Sequence, residues 1–190
     1  PKIVFSSTSA IYENSEKFPS QESEPVSPTL VYSNTKKHSE EICASFRTMY
    51  GMDITTLRFF NVYGPHMDYL RPNPPLVSYI IRCFLDRVQP LLHSNGKQAR
   101  DMVFITDVIR MCELALIAPE ARNLTFNVGS GTTNTVDEIF QIIRREFDMP
   151  DLTCVYRPGE LLWEKYHHLY AGSFPIDPKQ IVKEVNKYTG

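Results

Sequence analysis

The sequence predicts an α/β fold built on a parallel sheet, and three observations carry that prediction. A β-rich run at residues 2–5 is followed by a long segment with helix start and stop signals, and then by a nearly continuous apolar run at 54–60. Strand, helix and strand joined by short connections form a right-handed crossover, which sets the two strands parallel. Two later runs, at 102–105 and 125–128, again precede segments with helical periodicity.

Composition narrows the class. At 190 residues and 42% hydrophobic content the chain can bury a real core. The formal net charge of -2, spread along the chain, offers no basic field of the kind that nucleic acid or an anionic membrane requires. No apolar run approaches the roughly 20 residues that span a bilayer, and no charged-then-apolar leader opens the chain, so the reading is soluble and cytoplasmic. Cys43, Cys83, Cys112 and Cys154 lie far apart without Cys-x-x-Cys spacing, which indicates core thiols rather than a zinc site or a disulfide framework. The chain opens directly on a strand, as a piece of a longer protein would.

The elements follow in order. The first strand stops at a hydroxyl cluster, Ser6-Ser7-Thr8-Ser9, at the carboxyl end where open α/β sheets meet their ligands, with a solvated loop or helix-cap cluster as the other reading. Residues 13–24 are polar and turn-like. Ser27-Pro28 supplies a helix cap and first position, Gly51 a left-handed stop, and Ile42, Phe46, Met49 and Tyr50 a stripe expected to face the core. The strand at 54–60 ends in a turn at 61–65, and the prolines of 65–75 mark a loop and a domain boundary. A helix bearing Leu76, Val77, Ile80, Ile81, Phe84 and Leu85 comes next, then a short strand and turn at 90–96. The run at 102–105 leads to Thr106 as the cap of a helix reaching about 119. The strand at 125–128 runs into Gly129-Ser130-Gly131, read as a tight turn. Thr135 and Glu138 form a capping box, with Val136, Ile139, Phe140, Ile143 and Phe147 as the buried face of its helix. A strand at 152–156 and a last helix capped by Asp177-Pro178 complete the chain.

Near the start of the first helix stand Tyr32 and Lys36, four apart and therefore on one face. An ammonium beside a phenol favours the phenolate, the arrangement of a general base, although the same spacing is also common in ordinary surface pairs.

Six pieces in this order resemble the extended short-chain dehydrogenases/reductases, the NAD-dependent sugar-nucleotide epimerase/dehydratase family. They are Phe5-Ser6-Ser7-Thr8-Ser9-Ala10-Ile11-Tyr12, the Tyr32-x-x-x-Lys36 helix, Arg58-Phe59-Phe60-Asn61-Val62-Tyr63-Gly64-Pro65, Arg100-Asp101, Phe126-Asn127-Val128-Gly129-Ser130-Gly131, and Arg157-Pro158-Gly159-Glu160. The resemblance implies the C-terminal part of a Rossmann-type parallel sheet with helices on both faces, plus a smaller α+β substrate domain. Residues 1–65 would be the second half of the cofactor domain and 66–190 mainly the substrate domain, with 101–148 returning elements to the sheet. The glycine motif of the first strand-to-helix turn is absent. Gly129-Ser130-Gly131 does not replace it, because Asn134 stands where a third glycine belongs.

The family's site residues carry over by position. Thr8, Tyr32 and Lys36 would be catalytic. Ser6, Ser7 and Phe59, with Tyr32 and Lys36, would meet NAD, with NADP as the alternative. Ser9, Asn61, Leu76, Val77, Arg100 and Arg157, with Thr8, would hold a nucleotide-diphosphate sugar, the two arginines neutralising its diphosphate. Ser9-Ala10 follow Thr8, where the similar 4,6-dehydratases carry Asp-Glu to eliminate water; epimerases need neither carboxylate. The expected reaction is a UDP-sugar 4-epimerisation through a transient 4-keto sugar. The alternatives are a reductase, dehydratase or decarboxylase of the same family, and an inactive or regulatory remnant lacking half the cofactor site. The family also implies a homodimer. His167 and His168, adjacent in the 161–176 stretch, diverge on a helix or strand and suit packing or surface better than metal ligation.

Overall fold

The computed structural model describes residues 2–15, 17–93 and 95–157. Strand β1 (Lys2–Thr8) runs through the hydroxyl cluster, since the ladder uses backbone groups whatever the side chain. A 3-10 turn, Ser9–Tyr12, follows, with Ala10 N donating to Thr8 Oγ1 at 3.2 Å. Helix α1 (Val31–Tyr50) leads to β2 (Asp53–Phe59), which pairs in parallel with β1 from Lys2 opposite Asp53 to Thr8 opposite Phe59.

Two expectations for α1 are overturned. Ser27-Pro28 do not start it; the helix begins at Val31, and its N-cap residue, Leu30, makes no side-chain cap. Glu13, buried and 17 residues earlier, caps it instead: its carboxylate accepts from the backbone of Thr29 and from Leu30 N at 2.8 Å, and from Ser33 Oγ at 2.8 Å. The stripe of Ile42, Phe46, Met49 and Tyr50 does not face the core either, running from 44% exposed at Phe46 to 72% at Met49. Periodicity finds an apolar face but not what covers it. Gly51 does end the helix, at φ 62°, its N–H donating to Arg47 O at 3.1 Å.

The residues read as a turn at 61–63 form a short strand, β3 (Asn61–Tyr63). After α2 (Leu76–Leu85) and β4 (Leu91–His93), β5 (Ala99–Phe104) pairs in parallel with β3. Helix α3 (Ile105–Ile117) starts one residue before Thr106 and has no side-chain cap. Strand β6 (Thr125–Val128) joins β2 in parallel, giving the order β1-β2-β6. A strand absent from the sequence reading, β7 (Thr133–Thr135), lies antiparallel to β5. Helix α4 (Val136–Glu146) carries the expected capping box, Thr135 N to Glu138 Oε2 at 2.7 Å and Glu138 N to Thr135 Oγ1 at 3.1 Å. β8 (Val155–Arg157) pairs with β4, Arg157 opposite His93. The expected helix at Asp177-Pro178 and the 161–176 stretch lie outside the described residues.

Successive residues of a strand point to opposite faces. Leu57 packs into an apolar cluster with Val108 and Ala115 of α3, whereas Arg58 reaches Glu40 of α1, so the two helices cover opposite faces of the β1-β2-β6 sheet. A larger cluster joins α2 to α4 through Ile80, Phe84, Ile139, Phe140 and Ile143, with Phe84 and Phe140 ring centroids 5.7 Å apart. Among the described residues no helix is long and apolar enough to cross a membrane, and the four cysteines are free, with Cys83 buried and the others half-buried.

Candidate active site

Helix α1 runs back along the sheet. Near its end Arg47 Nη1 donates to Asn123 O at 2.7 Å, before β6 begins, and its start is capped by Glu13, beyond the end of β1. Its first turns therefore stand at the carboxyl end of the parallel strands, the end where hydroxyls and helix meet. Lys36 Nζ donates to Ser6 O at 2.7 Å and lies 5.3 Å from the Phe5 ring centroid. Tyr32 is one turn, about 5.4 Å, nearer that end, 56% exposed. Among the described residues no hydrogen bond ends on its hydroxyl or joins it to Thr8 or Lys36. Thr8, at the end of β1, and Ser9, at the start of the turn, are buried, and Ser6 is exposed.

Behind this row is a buried polar network. The Arg58 fork holds the Glu40 carboxylate, Nε to Oε1 at 3.1 Å and Nη2 to Oε2 at 2.8 Å. Its Nη1 donates to Tyr12 Oη at 2.5 Å and to Glu22 O at 3.1 Å. Ser7 Oγ also donates to Glu40, so this hydroxyl, expected to meet the cofactor, serves the helix. Tyr12 Oη donates to Asn127 Oδ1 at 2.8 Å, and Asn127 N to Glu22 Oε1 at 2.7 Å. Burial opposes charge on Arg58, but Glu40 and Tyr12 outweigh it and hold the guanidinium more firmly protonated than usual. Burial pushes the Tyr12 phenol up despite Arg58 beside it.

Of the residues expected to hold the sugar nucleotide, Leu76 and Arg100 line an open cleft of about 670 Å³ between α2, β4 and β5, together with Tyr79, His93 and Gln98 among others. Arg100 is half-buried, donates to Ala99 O at 2.9 Å, and forms no ion pair among the described residues; burial lowers its pKa. Arg157 stands exposed, one strand over from His93. Asn61 Nδ2 donates to Asp101 O at 2.9 Å, at the edge joining the two regions. Val77, expected beside Leu76 in the sugar site, is buried in the α2–α4 core and does not line this cleft. Phe59 packs beside Leu57 and Val128. Asp101 points away from Arg100 and accepts from Ser130 N at 2.6 Å, Ser130 Oγ at 2.8 Å and Gly131 N at 3.0 Å, which is what holds the Gly129-Ser130-Gly131 turn.

Glu13, Glu40, Tyr12, Asn127 and Asp101 received no role from sequence. One signal did exist: an arginine inside an otherwise apolar strand needs a buried partner, and Glu40 lies one turn beyond Lys36.

Strand order, the hydroxyl strand end and the Tyr32–Lys36 helix together define a Rossmann-type, NAD-linked short-chain dehydrogenase/reductase fold. Residues 1–129 match the model of the NAD dependent epimerase/dehydratase family, and the chain belongs to that family. A UDP-glucuronate 4-epimerase of Arabidopsis thaliana is 30% identical over 161 residues, 77% of this chain and 36% of that protein. Another from the same plant is 37% identical over 117 residues, 59% of this chain and 26% of the relative. The solved UDP-glucose 4-epimerase of Thermotoga maritima, with UDP-glucose, aligns at a TM-score of 0.90 and 27% identity over 99% of this chain and 63% of its own. The UDP-N-acetylglucosamine 4-epimerase of Methanobrevibacter ruminantium, in complex with UDP-N-acetylmuramic acid, aligns at 0.87 and 28% over the same shares. The chain thus spans less than two thirds of the length of each.

Proposed function

We propose that this chain supplies the base and the sugar-nucleotide cleft of an NAD-dependent 4-epimerase. The observation that carries the reading is Tyr32: an exposed phenol, without a hydrogen bond among the described residues, one turn ahead of a lysine fixed on the Ser6 carbonyl. That pair fits the nicotinamide end of NAD, which when bound supplies a hydride acceptor and donor. Tyr32 takes the proton from the sugar's C4 hydroxyl, with the Lys36 ammonium one turn further along the same face of α1. The Thr8 hydroxyl holds the same oxygen as it becomes a ketone. Return of the proton from Tyr32 completes the turnover with no loss of atoms. Arg100, with Arg157, pairs with the diphosphate, since an arginine without a carboxylate in a partly desolvated cleft favours an anionic guest.

Epimerisation is favoured over dehydration because Ser9 and Ala10 follow Thr8. The next carboxylate, Glu13, is committed to the start of α1. The test is product analysis by NMR with the full-length protein and UDP-glucose or UDP-glucuronate. The C4 epimer without net cofactor consumption is expected. A 4-keto-6-deoxy sugar, CO2 release or net reduction would show a dehydratase, decarboxylase or reductase and overturn the reading. The exposed Phe46, Met49 and Tyr50 of α1 supply the apolar face for a homodimer, which sedimentation of a Phe46→Asp variant would read as a shift to monomer.

A further inference from the structure

We infer that Arg58 is a positioning residue for the proposed reaction, setting the rotation of α1, and with it the placement of Tyr32 and Lys36, through its two-pronged grip on Glu40. The inference rests on the reading of Tyr32 as the base. Tyr32, Lys36 and Glu40 are spaced four apart and lie along one face of α1. Packing within the chain does not orient this helix: Ser33 is its one buried residue, and its apolar stripe points away from the sheet. Its orientation is instead fixed by polar ties, and the tie at Glu40 is the one that reaches two strands of the sheet. Glu40 receives Nε and Nη2 of Arg58 from β2 and the hydroxyl of Ser7 from β1, so one carboxylate is referenced to two adjacent strands at once. Ser7 and Arg58 are partners in the strand register, which places both donors side by side.

Stability alone does not explain this arrangement. Arg58 is 6% exposed, and a buried ion pair is commonly replaceable by apolar groups of similar volume without loss. What the fork adds is direction, because its planar donors fix the carboxylate in a way that a single ammonium cannot. The third arm ties in the segment before α1: Nη1 meets Glu22 O at 3.1 Å and Tyr12 Oη at 2.5 Å, and the guanidinium stacks 5.1 Å from the Tyr12 ring centroid. One side chain thus holds the base-bearing helix and the loop leading to it.

The test is Arg58→Lys in the full-length protein, which keeps the charge and removes the fork, with Ile143→Val as a control for general loss of stability. Misplacement of the base should lower kcat about 10- to 100-fold while KM for the nucleotide sugar stays within about twofold, since Arg100 and the cleft lie on other elements. Hydrogen exchange at residues 34–40 should accelerate, with α2 and α4 unchanged. Equal losses in both variants, or a lower melting temperature with kcat intact, would overturn the inference. If the wild-type protein proves not to be an epimerase, the base reading falls separately and the exchange pattern decides: acceleration confined to 34–40 upholds the clamp, and its absence removes it.

Discussion

The β1–α1–β2 unit and the α2–α4 unit solve the same packing problem by different means. Between α2 and α4 the contact is apolar and filled by rings and branched chains, with Phe84 also 5.2 Å from Phe147. Between α1 and its sheet the contact is a chain of hydrogen bonds running from Glu13 through Lys36 and Glu40 to Arg47. Apolar packing is non-directional and scales with buried area, so it suits a scaffold. Hydrogen-bonded and ionic contacts give little net stability but strict geometry, so they suit a helix that must hold its side chains at a set angle.

The largest test of this contrast is Phe140→Ala. Phe140 is 1% exposed against Phe84, and truncating a buried phenylalanine costs about 3–5 kcal/mol. Urea denaturation should show a loss of that size; a loss under about 1 kcal/mol would mean that the α2–α4 core is not the scaffold.

A smaller effect belongs to Glu13→Gln. Loss of the charge at the start of α1 weakens hydrogen bonds to Leu30, Thr29 and Ser33, at about 1–3 kcal/mol. Burial raises the Glu13 pKa, but those hydrogen bonds outweigh it and hold the folded carboxyl below its ordinary value. Its contribution is therefore complete above the unfolded value of about 4.3 and is lost as pH falls through the lower folded value. Denaturation midpoints across the acid range should fall less steeply in the variant than in the wild type; parallel curves would show that the cap carries no charge-dependent stability.

Much of this contrast was readable in the residues, and unevenly so. Gly51, the Thr135–Glu138 box and the limits of β6 are local signals, each complete within a few positions, and the structure has them as expected. The α2 and α4 stripes were legible because an apolar face shows in the periodicity of its own helix, whatever lies opposite it. The start of α1 was not, since its cap comes from Glu13 and local residues offered a plausible substitute in Ser27-Pro28. β3 and β7 are three residues each, too short for a period of two to register. At the candidate site the exposed Tyr32 and the lysine beside it were legible as a motif. The supports behind them were not, because Arg58 finds Glu40 across 18 positions and Asp101 finds Ser130 across 29.

The smallest expected change in stability is the sharpest test of the contrast. Tyr32→Phe removes one oxygen from a side chain that is 56% exposed and makes no hydrogen bond among the described residues. Its denaturation midpoint should match the wild type within about 0.5 kcal/mol. If Tyr32 is the base, the same variant should lose about 10²- to 10⁴-fold in turnover, with KM for the nucleotide sugar little changed because no cleft residue is touched. Stability and turnover would then separate completely at this position, whereas at Phe140 any fall in activity should follow the unfolded fraction. A Tyr32→Phe protein that unfolds early would place Tyr32 among the structural ties of α1, and one that turns over normally would move the base elsewhere.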